Sequence, residues 1–290
     1  MNRFLCVMVG ILLLECSLGA SPIYTVSFQD PGDAYSGFYS QISANLLAAG
    51  AVWNSFLGGP SVSLDLMVKF DPLTARATGG SATSVFFAPS GAVNVFQQGA
   101  AAELISGIDP NGTLPDAFIT IGPDYLANEL WFDPDPLTRL TPVPSNRTDA
   151  ESVFIHEIGH ILGFNGFLDS TIGLPSGNFI STYDQYVQYS GGNLYFTGPE
   201  AEAVYGGPVP LTFGNYSHVG NQNPRPGGEL IPDLMNGVVF FRGTRYSPTP
   251  LDIAFLTDTG VPITAAPEPS SAILSIMGLL GVLTLRRLRK

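Results

Sequence analysis

Residues 156 to 160 read His-Glu-Ile-Gly-His, with Gly163 and Phe164 close behind. On an α-helix, side chains four apart share a face, so His156 and His160 can direct ring nitrogens at one metal ion while Glu157 stands beside the open coordination position. The chemistry served by that spacing is metal-assisted hydrolysis of a peptide bond: two imidazoles hold zinc, and the carboxylate is general base toward a water. Economy strengthens the reading, because the chain has three histidines and two of them lie in the motif. The third is His218.

The elements around the motif are legible in outline. Thr148 and Glu151 have the capping-box spacing, which predicts a helix starting just before Ala150. Within it Phe154, Ile158 and Ile161 fall on one side, to dock the helix, and Val153, His156, His160 and Gly163 fall opposite, to face a cleft. Upstream, Tyr24 to Phe28 reads as a strand, Phe38 to Phe56 as a helix ended by Gly58-Gly59-Pro60, and 62 to 70 as a strictly alternating strand, a βαβ start. Val93 to Ile105 is expected as a second helix, Ala117 to Ile121 as a strand, and Glu129 to Phe132 as an edge strand before a proline-rich loop at 134 to 144. After Phe164 the chain turns to Gly, Pro, Tyr and Asn, a loop-rich lobe closed by a helix capped by Thr249, begun by Pro250 and ended before Gly260. The expected fold class is α+β, with an N-terminal lobe over 21 to 164 and a C-terminal lobe over 165 to 262.

Residues 1 to 20 combine Arg3, an apolar stretch from Phe4 to Leu14 and the small pair Gly19-Ala20, which predicts a secretory signal peptide cut after Ala20. Cys6 and Cys16 both lie in it, so the mature chain is expected to have neither a disulfide nor a cysteine nucleophile. Between Ser21 and Ala266 there are 22 acidic and seven basic residues, and this acidity argues against nucleic-acid binding. Asp109-Pro110-Asn111-Gly112 and Asp133-Pro134-Asp135 are turn sequences that could also bind calcium.

The other end, over 263 to 290, holds Pro267-Glu268-Pro269, an apolar run from Ala272 to Leu285 and a terminus of arginines and a lysine. This resembles a PEP-CTERM sorting tail. The resemblance implies a Gram-negative cell, secretion or sorting to the cell envelope, an exosortase-type processing enzyme as partner, and transient membrane insertion. The apolar run is shorter than the roughly 20 residues of a spanning helix, which favours a processed signal over a lasting anchor.

Catalytic zinc usually takes three protein ligands and leaves one position to water. The compact form of the motif would place a third histidine at 166, where this chain has Gly166. His218, 58 positions beyond His160, is the remaining histidine, while Asp184, Glu200 and Glu202 are carboxylates that could serve instead. The motif ending in Gly163-Phe164, the long insertion before His218 and the following Asp233-Leu234-Met235-Asn236-Gly237 resemble the leishmanolysin-like metzincins. That resemblance implies a metzincin-like fold, His156, His160 and His218 as zinc ligands, Glu157 as general base, Gly163 as the turn out of the helix, Met235 as a structural floor, and a polypeptide substrate. The mature chain departs from the family in lacking its cysteines, and Gly237 stands two places after Met235 where some metzincins have a tyrosine. A different class remains beside this one: a matrix or adhesion protein displayed through its tail, keeping the peptidase fold as a scaffold only.

Overall fold

The computed structural model describes residues 21–220, 225–238 and 240–264; the expected leader with both cysteines, and the expected sorting tail from residue 265 on, lie outside the described residues. The chain is mixed α+β, with six α-helices and several sheets among those residues.

It begins with β1 (Ile23–Gln29), α1 (Tyr39–Asn54) and β2 (Ser63–Phe70), and β1 lies parallel to β2 from Ile23 against Ser63 to Gln29 against Lys69. This is the βαβ start that the sequence predicts. Alternation in β2 works as a one-sided sheet requires, with Leu64, Leu66 and Val68 buried and the residues between them turned outward. Ile42, Leu46, Ala49 and Trp53, at helical spacing, are the buried stripe of α1.

The chain continues through β3 (Ala77–Ser81), β4 (Ser84–Ser90), β5 (Val93–Gln98), α2 (Gly99–Ser106) and β6 (Ala117–Ile121). The second helix expected over 93–105 is therefore corrected: its first half is a strand and only the second half is helical. Hairpin pairing with β4, from Ser84 against Gln98 to Ser90 against Val93, holds those residues extended, and the chain turns helical at Gly99. The main sheet has the order β1-β2-β6-β3, with β6 parallel to β2 and β3 antiparallel to β6 at the edge.

Next come α3 (Pro123–Asn128), β7 (Leu130–Trp131), β8 (Thr148–Asp149) and α4 (Ala150–Leu162). The strand expected over 129–132 shortens to the two residues of β7, which pair with β8. All thirteen residues of α4 are buried; Phe154, Ile158 and Ile161 join the core, while Val153, His156 and His160 line a cleft on the other side. The helix packs against α1, where Trp53 Nε1 donates to the carbonyl of Ile155 at 2.8 Å, and against β3.

The remainder is built of short pieces: β9 (Phe179–Ser181), β10 (Val187–Ser190), β11 (Asn193–Phe196), α5 (Pro199–Tyr205), β12 (Val209–Pro210) and finally α6 (Pro250–Asp258). Thr249 and Asp252 form a complete capping box at the start of α6. Stacked rings of Phe164, Phe196 and Phe255 join these pieces to the end of α4, and one hydrophobic cluster runs through both halves of the chain.

Candidate metal centre

Helix α4 starts on a different cap from the one the sequence suggests. Asp149 is the N-cap, its carboxylate accepting from Ser152 N–H at 3.1 Å and Ser152 Oγ at 2.6 Å. Glu151 does not reach back to Thr148, because Arg139 (3.3 Å) and Arg245 (3.2 Å) hold its carboxylate. Arg245 also pairs with Asp133 and, at 3.4 Å, with Asp149. Two arginines thus serve three nearly dry carboxylates at the helix start, and they tie it to the segment after Met235. The turn at Asp133-Pro134-Asp135 is part of this clamp, with Asp133 Oδ1 accepting from Asp135 N–H at 2.9 Å.

About two and three turns into the helix stand His156 and His160, and the turn at 215–218 brings His218 to them. The three Nε2 atoms are 3.0–3.1 Å apart. On the other side of each ring a backbone carbonyl faces Nδ1: Leu234 for His156 at 2.8 Å, Phe164 for His160 at 2.6 Å and Asn215 for His218 at 3.3 Å. A carbonyl can only accept, so each Nδ1 carries the proton and each Nε2 presents a lone pair. Three lone pairs at van der Waals contact repel one another unless a cation sits among them, and the donor set therefore fits a metal ion. Burial lowers the basicity of all three rings, His156 to about 3 and His160 to about 4, which keeps them neutral as ligands must be.

Glu157 is 4 % exposed, and burial raises its carboxyl to about 8, against the lowering effect of a hydrogen bond from Gly79 N–H. Its Oε2 has no hydrogen-bond partner. Strand β3 presses on this residue so closely that a Cβ at Gly79 would collide with the Glu157 carbonyl and lie 2.8 Å from its Cβ. The histidines and Glu157 line a cleft of about 900 Å³, with residues 75–79 along one wall and Asn215, Phe240 and Arg242 among its other lining residues.

The alternatives for the third ligand lie elsewhere. Asp184 accepts from Phe167 N–H and Ser181 N–H, each at 2.8 Å, on one oxygen and from Tyr216 OH at 2.8 Å on the other. Glu200 and Glu202 sit in the first turn of α5, outside the histidine cluster. A Cβ at Gly166 would overlap Asp184 Oδ1 and Tyr216 OH, so the position at which the compact motif has histidine is closed by packing here. Gly163 caps α4 with an extended φ of 172°; what requires glycine is the end of α6, where Leu256 Cδ2 would be 3.0 Å and Oγ1 of the following Thr259 2.9 Å from a Cβ. Met235 is fully buried against Gly159, beneath the motif.

Sequence reading missed the two-arginine clamp, the three orienting carbonyls and Gly79. Only the clamp had a signal: seven basic residues against 22 acids between Ser21 and Ala266 invite the question of which acids they neutralise. Comparison with known proteins found no family model, no curated protein and no solved structure that matches the chain.

Proposed function

We propose that this protein is a secreted or surface-sorted zinc-dependent endopeptidase of the leishmanolysin-like metzincin type. The observation that carries the reading is the convergence of three Nδ1-protonated imidazoles beside a buried carboxyl with a free oxygen. His156, His160 and His218 would hold the ion. Zinc, when bound, supplies a Lewis acid and an acidified water. Glu157, buried beside the histidines with one oxygen unpartnered, would take a proton from the attacking water, hold it, and deliver it to the leaving nitrogen. The carbonyls of Leu234, Phe164 and Asn215 fix each ring's tautomer and direction.

The wall of the cleft supports a polypeptide as substrate. β3 is the outermost strand of its sheet, and residues 75–79 border the cleft, so an extended polypeptide laid along it passes the histidines and Glu157.

The test is zinc content and casein hydrolysis of the purified protein, with and without a chelator, beside His218→Ala. One zinc per chain, lost in the variant together with activity, is the expected result. Full zinc in His218→Ala overturns the ligand assignment, and a metal-free, inert wild type favours the displayed scaffold.

A further inference from the structure

Between α2 and β6 three acids come together. Glu103, Asp109 and Asp116 bring carboxylate oxygens within 4.8 Å of one another, and Glu103 and Asp116 are only 4 % and 3 % exposed. A desolvated carboxylate is costly unless paired. At the start of α4 arginines do the pairing, but none of the ion pairs among the described residues reaches these three.

The oxygens are left over. Glu103 Oε2 and Asp116 Oδ1 are sealed from solvent and no N–H or O–H donor reaches either, so the hydrogen bond the two carboxyls can share needs a proton on one of them; Asn111 Oδ1 in the connecting loop also lacks a donor. The neighbouring donors are already used. Asp65 N–H is spent on Asp116 Oδ2 at 2.7 Å, and the Asn111 and Gly112 N–H groups on Asp109 Oδ1 at 2.8 and 2.7 Å. Asn111 Nδ2 is spent on the carbonyls of Leu114 and Pro115 at 2.7 and 2.9 Å. What remains is a set of oxygen acceptors with neither nitrogen nor sulfur among them, which is the preference of a hard cation. Calcium binds oxygen at about 2.3–2.6 Å, so one ion can touch atoms up to roughly 5 Å apart. The observed spread fits within that reach.

We propose that Glu103, Asp109 and Asp116 form a calcium site, separate from the histidine centre, that fastens the 107–116 loop to the main sheet. The competing arrangement is a proton shared between Glu103 and Asp116, which would satisfy both without an ion.

Calorimetric titration of the purified protein with calcium chloride, paired with thermal unfolding, separates them, since an oxygen-only site draws calcium where three imidazoles do not. Expected are one calcium per chain and an unfolding midpoint that rises with calcium. Asp109→Asn, at an exposed position and still able to accept the loop's N–H bonds, should fold normally and bind calcium on the order of tenfold more weakly. Glu103→Gln should lose the response. A wild type indifferent to calcium, with Glu103→Gln unfolding at or above its temperature, would assign the cluster to a shared proton and overturn the proposal. Calcium binding unchanged in both variants would place the ion elsewhere and overturn it as well.

Discussion

Met235 and Gly159 are in contact through the centre of the helix motif: a Cβ at Gly159 would lie 2.7 Å from Met235 Sδ and 3.4 Å from Trp53 Cζ2. The glycine between Ile158 and His160 is therefore fixed by what lies under the helix. Leu234, on the same turn as the methionine, orients His156 through its carbonyl, so lifting Met235 disturbs a ligand. Gly159→Ala is expected to cost about 1–3 kcal/mol in urea unfolding, as overpacking does. It should also weaken zinc binding on the order of tenfold, the usual scale for disturbed outer-shell partners. Adding Met235→Ala makes room for the new methyl and should restore part of the affinity. Unchanged zinc affinity in Gly159→Ala would show that the turn under the helix does not support the ligand.

Under the proposed mechanism, Glu157→Gln separates base from ligand. The amide nearly matches the carboxyl in size and can still accept from Gly79 N–H, so zinc content should match wild type. Without a group to take the proton, kcat should fall on the order of a hundredfold or more. Retention of full activity would remove Glu157 from the chemistry.

The parts of this protein most visible in sequence are those whose pattern and packing agree. β2 alternates because one face is buried, and α1 repeats its apolar residues because one stripe is. His218 was reachable because the chain has so few histidines. β3 was not, since Ala-Thr-Gly-Gly-Ser carries no hydrophobic alternation, and the glycine that hides it is the one that lets the strand touch Glu157. Residues 93–105 misled for another reason: Val93, Phe96, Ala100 and Leu104 fall at helical spacing, yet tertiary pairing with β4 claims the first six residues. The cap of α4 moved by one residue because Glu151 found arginines, a partnership that local spacing does not encode.

Arg245→Ala tests that partnership. Its guanidinium meets Asp133, Asp149 and Glu151, each 2 % exposed or less, and Arg139 alone would remain to balance them. Leaving buried carboxylates uncompensated costs about 3–5 kcal/mol, and urea unfolding should show a loss of that size. Burial already holds Glu151 up to about 7, so the variant's carboxyls should be protonated more readily still. A loss below about 1 kcal/mol, the range of exposed pairs, would mean that the clamp is solvated in solution.

Glu103 gives the protein a pH dependence that calcium should suppress. Burial, then the charges of Asp116 and Asp109, a hydrogen bond with Asp116 and the charge of Asp65 raise its carboxyl from 4.5 to about 7, and the charged groups acting on it are all acids. A group with a higher pKa in the folded state binds its proton more tightly there, so its contribution to stability is full below about 4.5 and is lost as pH rises through about 7. In calcium-free buffer the unfolding temperature should therefore decline across that window. Calcium at saturation supplies the missing positive charge and should flatten the decline, as should Glu103→Gln, which has no proton to lose. If Glu103→Gln shows the same slope as wild type in calcium-free buffer, the titrating group is not Glu103 and its burial does not govern the response.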